Sequence, residues 1–410
     1  MIYKRKWPAA VFLLPAFVFM VIFLFYPFIR NIIDSFFNVS QLGAPHGAFI
    51  GAENYLKIIP GLETTDPNMV IAVKNTLLLM ACTIVFQVGI ALVLALMVIL
   101  QTVALGFDYE SFGAWFTNWG KNWINILRNN AGVGIVALGM TFVIISGGID
   151  LAVGSTMVAI GAVIMVFINQ YPDGLLTAIG ITGVPAYAIG IVAGVIFGCL
   201  LGGISGVLIA RSKLPAFIAT LGMMKILRSV TQQVMQTAAV KVPSSFLTIS
   251  NTKIGGEVIL PILYWLVAAV ILHIVSRYTP FGRHVYAVGS NERTARLSGV
   301  NVERVKGLIY VLMGALVAVT AVIQVSRIGS MDYANAGSGY EMDAIAAVVV
   351  GGTSMSGGRG SILGTVLGML IIAVMNNLLN LMGVPPFLRE AFKGFIVIAA
   401  VLLQKKEATA

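Results

Sequence analysis

Charge is what this sequence lacks. Only 10% of its 410 residues are Asp, Glu, Lys or Arg, too few to solvate the outside of a soluble protein of this size. Cysteine is nearly absent, and Cys82 and Cys199 lie far apart, each inside an apolar run. Neither a disulfide framework nor a thiolate metal site is indicated, so both read as packing residues. The three histidines, His46, His273 and His284, are scattered, with no H-E-x-x-H and no arguable Ser/His/Asp set. No catalytic residue and no metal site is expected, and an enzyme reading has no support. The glycine-rich stretch 351–361 invites a phosphate-loop reading. It lacks the lysine of G-x-x-x-x-G-K-[ST] and a hydrophilic strand–loop–helix around it, which excludes a nucleotide site.

Apolar residues are what the chain has instead. At 58% hydrophobic, its apolar surface exceeds what a soluble core can hide, and the expected class is an all-α polytopic membrane protein. The net charge of +10 comes from basic residues in short loops and termini, not from one clustered face. It is read as membrane topology, with no nucleic acid partner. Residues 1–6 and the apolar run after them resemble a signal peptide, but the run is too long for a signal core and no small-residue cleavage site follows. An uncleaved segment is expected.

Apolar runs fall at 9–29, 70–105, 131–146, 153–169, 184–210, 216–236, 258–276, 307–326, 342–350 joined to 361–382, and 391–403. This amounts to about 10–11 hydrophobic segments, with glycine-rich broken helices among them. The run 70–105 is too long for one perpendicular span. In 106–130, Trp115, Trp119 and Trp123 recur at i,i+4, which predicts an interfacial amphipathic helix, with packing as the alternative. Glycines 190, 194, 198, 202, 203 and 206 would let helices approach closely.

The longest strongly polar, positively biased passage between two apolar runs is SNERTARLSGVNVERVK (290–306). Its punctuation predicts a helix of about two turns: Asn291 as N-cap, Glu292 at the positive end, Glu292 and Arg296 as i,i+4 partners, Gly299 as the left-handed stop. A solvated turn that only fixes topology is the competing reading. The positive-inside rule places Arg211, Lys213, the loop 277–306, Arg359, Lys405 and Lys406 in the cytoplasm. Counted back from there, 106–130 falls outside and the run 70–105 crosses outward. One further span at 9–29 then puts Lys4, Arg5 and Lys6 outside, against the same rule.

Three glycine-rich breaks interrupt apolar runs, at 146–155, 351–361 and 383–387. Opened backbone is tolerated in a membrane only against protein or a water-filled path, which makes Gly147, Gly148, Gly351 and Gly352 candidates for lining a translocation route. Ordinary helix–helix turns are the alternative. An ionised Asp150 at the bilayer centre would cost at least ~2.5–3.5 kcal/mol and need a partner or a cavity. Asn376 and Asn380 share a helix face that suits sugar hydroxyls or a neighbouring helix, the neighbour being favoured.

Four stretches, GMTFVIISGGIDLAVGS (139–155), LPAFIATLGMM (214–224), FGRHVYAVGSNERTARLSGVNV (281–302) and YEMDAIAAVVVGGTSMSGGRGSILGTVLG (340–368), resemble the ribose-type, simple-sugar permeases of bacterial ABC importers. The resemblance covers about 123–403. It implies a permease of the bacterial plasma (inner) membrane that works as a dimer, expected to be a homodimer within membrane lipid, with ABC ATPase subunits beneath and an extracytoplasmic sugar-binding protein above. ATP and Mg would sit on the ATPase, and no cofactor in this chain. Gly289, Asn291, Glu292, Ala295, Arg296, Ser298 and Gly299 then correspond to the segment that docks on the ATPase. Within 1–95, LLPAFVFMVIFLFYPFIRNIIDSFFN (13–38), GAENYLKI (51–58) and NTLLLMACTIVFQVGIALVLALM (75–97) resemble instead the start of a maltose- or glycerol-3-phosphate-type permease. The expected organisation is therefore that N-terminal piece (1–95), a junction and interfacial segment (96–130), the ribose-type domain (131–404) and a cytoplasmic tail (405–410). An ion-coupled carrier and a non-functional hybrid of two permeases are the alternatives.

Overall fold

The computed structural model describes residues 30, 33, 36, 37, 48–56, 112–171, 174–236, 240–385, 388–391 and 393–395. The runs 9–29 and 70–105, the join expected between them and the later chain, and the tail 405–410 lie outside these. The chain divides into two compact units, Met1–Val93 and Leu94–Ala410. The first holds a short helix, α1 (Glu53–Leu56), and an antiparallel bridge between Phe37 and Phe49.

The described residues of the second unit are mostly helical. Its elements are α2 (Phe112–Ile145), α3 (Val153–Phe167), a 3₁₀ turn at Thr177–Ile179, α4 (Val184–Ala210), α5 (Ala216–Met235) and α6 (Thr248–Asn251). A two-residue hairpin follows, β1 (Lys253–Ile254) paired antiparallel with β2 (Glu257–Val258), the register matching Lys253 with Val258. Next come α7 (Leu260–Tyr278), α8 (Pro280–Ser290), α9 (Glu292–Leu297), α10 (Val302–Ile328), α11 (Tyr340–Val350) and α12 (Ile362–Leu381). Five of these helices are long and apolar enough to cross a membrane: the 116–145 part of α2, and α4, α7, α10 and α12. The protein is an all-α polytopic membrane protein.

Two expectations change. Residues 112–145 form one continuous helix, so the interfacial helix placed over 106–130 is not separate from the run 131–146, and the boundary drawn at 130 falls inside α2. Trp119 packs edge-on against Trp123, 5.9 Å between centroids, and Phe116 stacks on Trp119 at 6.0 Å. Residues 342–350 and 361–382 are two antiparallel helices rather than one joined run. The turn at 351 brings Gly351 against Gly364, and Gly368 against Ala347.

The centre of the unit is made by α2 and α10, whose buried side chains include Ile135, Leu138, Phe142, Ile309, Met313 and Val317. Helix α10 packs along α4, α2 and α3. Lipid tails are as apolar as leucine, so helices here adhere through close contact. A Cβ on Gly202 of α4 would fall 2.1 Å from the Tyr310 carbonyl oxygen, and one on Gly314 of α10 would fall 2.0 Å from the Gly198 oxygen. Only glycine allows the two backbones to cross so closely. The opposite face of α4, with Val192, Ile196, Leu200 and Ile204, is exposed, as lipid-facing residues are.

Candidate functional site: a docking segment beneath two broken helices

The segment 289–299, which the resemblance makes a candidate for docking an ATPase, is built as its residues dictate. Asn291 caps α9, its side-chain oxygen accepting from the Thr294 amide at 2.9 Å. Gly299 takes a φ of +84°. The Gly299 amide donates to the Arg296 oxygen and the Val300 amide to the Ala295 oxygen, which closes the helix. Ala295 is buried, while the neighbouring Leu297 is 83% exposed; Ser298, the C-cap, is exposed too.

The charges tie α9 to the start of α10. Arg296 lies 2.6 Å from Glu303 and 3.7 Å from Glu292, and Lys306 lies 2.6 Å from Glu292. The hydrogen bond that the Arg296 guanidinium donates to Glu303 holds it above its already high range. Exposed ion pairs of this kind add little stability; what the network fixes is the angle between a six-residue helix and a transmembrane one.

This network forms one wall of a cavity of about 320 Å³ that also includes Lys213 and, deeper, Ser146, Gly147, Gly148 and Tyr310. Arg211, Lys213, the loop 277–306 and Arg359 gather at one end of this unit, the end for which the positive-inside rule predicts a cytoplasmic location. Lys213 alone among the described non-glycine residues has a positive φ, +54°.

Gly289 connects the docking segment to both of the first two breaks. A Cβ there would fall 1.7 Å from the Ile145 oxygen and 2.7 Å from the Gly358 amide, and that amide donates to the Ile145 oxygen at 2.8 Å. The end of α8 is thus wedged between the end of α2 and the turn 351–361.

Beyond this contact the two breaks differ. Gly351 and Gly352 form a helix–helix turn, with the Gly352 amide donating to Val349 and the Thr353 amide to Val348. The break after α2 is opened backbone that climbs inward. Gly147 is exposed and Gly148 lies under the Tyr310 hydroxyl. Asp150 is buried, its carboxylate accepting from the Ala152 amide at 2.9 Å just ahead of α3.

Helix α11 has 11 residues, about 16 Å, against the ~30 Å needed to span. The loop 329–339 accounts for the difference by running back along the molecule from the end of α10. There Gly337 meets the first turn of α3, where a Cβ on Gly154 would be 2.1 Å from the Gly337 oxygen and 3.1 Å from Glu341 Oε2. Two interrupted helices, α3 and α11, therefore begin next to each other inside the protein, the arrangement in which a membrane protein can present backbone groups and helix N-termini to a polar solute.

Arg228 of α5 holds the loop in place, its guanidinium donating to the carbonyls of Tyr333 at 3.2 Å and Ala336 at 2.7 Å. Asp343, two residues beyond Glu341, pairs with Lys393 at 2.9 Å. Arg228 is a charge within the apolar run 216–236, where a charge needs a partner; Asp343 lies within the run 342–350 and Glu341 directly before it.

Asn376 and Asn380 are not brought to this place. They lie near the end of α12 remote from the cytoplasmic turn, Asn380 accepting from Arg389 at 3.1 Å. Their neighbour Asn377 pairs amide to amide with Asn122 of α2 at 3.2–3.3 Å. Asn376 is half-buried, with no hydrogen-bond partner for its side-chain oxygen among the described residues. Gly383, Val384 and Pro385 follow α12, and the last two residues of the third break, 386–387, lie outside the described residues.

Comparison with known proteins agrees with this architecture. The model of a family described as branched-chain amino acid transport system, permease component, matches residues 122–401. The chain is 38% identical over 294 residues to the ribose import permease protein RbsC of Escherichia coli (strain K12), covering 70% of this chain and 86% of that one. It is 41% identical over 295 residues to RbsC of Bacillus subtilis (strain 168), covering 70% and 85%. Over 292 residues it is 36% identical to the fructose import permease protein FrcC of Rhizobium meliloti, covering 68% and 76%. No solved structure matches it significantly.

Proposed function

Because the chain belongs to the family described as branched-chain amino acid transport system, permease component, we propose that it is the membrane subunit of a bacterial ABC importer for a monosaccharide such as ribose. The observation that carries the reading is the similarity to ribose import permeases over 85–86% of their length, against a family description that speaks of amino acids. The geometry supports it: a capped, charged segment at the cytoplasmic end touches, through Gly289, both the opened backbone after α2 and the turn of α11.

In this mechanism an ATPase subunit grips residues 291–299 and moves α9. The Glu292–Arg296–Glu303–Lys306 network makes the start of α10 follow, and the Gly289 wedge passes the movement to the backbone at 145–150 and 351–361. A two-state element of this kind couples distant sites when each state makes different contacts. The path would run past Asp150, Gly154, Gly337 and Glu341. An extracytoplasmic binding protein would deliver the sugar, and a second copy of the chain would complete the channel. ATP and Mg belong to the ATPase.

The test is reconstitution with the ATPase and binding protein in vesicles lacking an ion gradient. Uptake of labelled sugar should follow ATP, and the exchange Glu292→Lys with Arg296→Glu should abolish it while the protein remains in the membrane. Normal uptake by that double variant, or uptake driven by an imposed ion gradient without ATP, would overturn the reading.

A further inference from the structure

A second cavity, of about 630 Å³, opens at the cytoplasmic end between the last turn of α4 and the first turn of α10. Its polar lining is Arg211, Arg304, Asn301 and Glu303, and its apolar lining includes Val207 and Leu308. Glu303 is engaged by Arg296 at 2.6 Å. Asn301 spends its side-chain oxygen on the Arg304 amide as the cap of α10. Arg211 and Arg304 are exposed and form no ion pair among the described residues. The groove therefore presents two guanidinium groups whose charge is unanswered.

Its other wall leads into the bilayer. Val207 and Leu308 are about half exposed, and Val207 continues the outward stripe of Val192, Ile196, Leu200 and Ile204 on α4. A ligand that fits both walls has an anionic head and an apolar tail. We propose that this groove binds an anionic phospholipid of the cytoplasmic leaflet, its phosphate between Arg211 and Arg304 and an acyl chain along the α4 stripe. Basic pockets between membrane helices at this depth suit such head groups, and guanidinium is the side chain best shaped for phosphate.

Charge complementarity decides against the other occupants. A second copy seated here by a two-fold axis would bring the same two arginines toward one another. An ATPase subunit would meet the exposed tip of α9 at Leu297, not a wall that faces lipid. Because Glu303 lines this groove and also the cavity under the docking segment, a bound head group would stand one side chain from the coupling network.

The experiment is native mass spectrometry of the full chain in detergent, titrated with phosphatidylglycerol or phosphatidylcholine. Phosphatidylglycerol should be retained in preference to phosphatidylcholine. Retention should fall about fivefold with Arg211→Gln or Arg304→Gln and about 30-fold with both, at ~1 kcal/mol per cation. The charge-matched control Arg293→Gln with Arg359→Gln should bind as the parent does, and Arg211→Lys with Arg304→Lys should keep most of the affinity. Equal retention by the double Gln variant, or of phosphatidylcholine, would overturn the proposal. So would displacement of the lipid by inorganic phosphate where chloride of equal ionic strength has no effect, which would mark a site for the free anion. Disulfide-linked dimers of an Arg211→Cys variant in native membranes would overturn it in favour of a second copy.

Discussion

Glycine in this chain has two physical jobs, and the atoms opposite each residue tell them apart. At Gly202 a Cβ would overlap the Tyr310 carbonyl, whereas at the adjacent Gly203 the nearest atom, a Val311 methyl, is at an ordinary 3.7 Å. Gly202→Ala should therefore force α4 and α10 apart and cost about 1–3 kcal/mol as overpacking. Gly203→Ala should be neutral or slightly stabilising through helix propensity. Thermal unfolding in detergent checks the pair, and equal shifts for both would mean that the crossing is not the close contact described. The i,i+4 spacing of these glycines made a close crossing legible in the sequence. Which helix would lie against them was not, because a glycine carries no mark of its partner. Gly289 makes the same point within the docking segment: its place in the motif was visible, but its contact with Ile145 and Gly358 depends on chain folded from 144 residues before and 69 residues after it.

Among the elements, local rules worked where the chain makes its own partners. Asn291, Glu292, Arg296 and Gly299 act as cap, first-turn acid, last-turn base and left-handed stop, because capping and i,i+4 pairing are decided within one or two turns. Periodicity failed for α11. Joined to 361–382 across the glycine-rich break, its apolar run reads as part of one long segment, and only the turn at 351 and the return of the loop 329–339 mark it as a half-length helix. That return depends on Arg228, which spans from α5 to two loop carbonyls. Arg228→Gln removes charge-assisted bonds worth about 1–3 kcal/mol. It should raise hydrogen exchange at 331–339 selectively and slow sugar uptake, with Arg228→Lys intermediate because both bonds come from the single nitrogen Nη1, and an ammonium keeps the charge and the donors on a side chain one bond shorter. Unchanged exchange in that loop would show that packing of Gly337 on Gly154 is sufficient to hold it.

At the scale of the whole molecule, the arrangement of charge predicts a direction. Helix α5 leads from the cluster around Lys213 to the hairpin at Lys253–Val258, and α7 leads from the hairpin back to Arg277. Helix α7 is long and apolar enough to cross a membrane, its 19 residues covering about 28 Å, so the hairpin and α9 should lie on opposite sides of the membrane. The start of α2 falls on the hairpin's side, where backward counting from the basic loops had placed 106–130. Lys253 and Arg293 are both exposed, which makes them usable reporters once Cys82 and Cys199 are replaced by serine. A membrane-impermeant maleimide should label Lys253→Cys but not Arg293→Cys in spheroplasts, and the reverse in inverted vesicles. Labelling of Arg293→Cys from outside would turn the protein over and remove the docking segment from any reach of an ATPase. It would also place Arg211 and Arg304 in the wrong leaflet, so one labelling pattern bears on the coupling route and the lipid groove together.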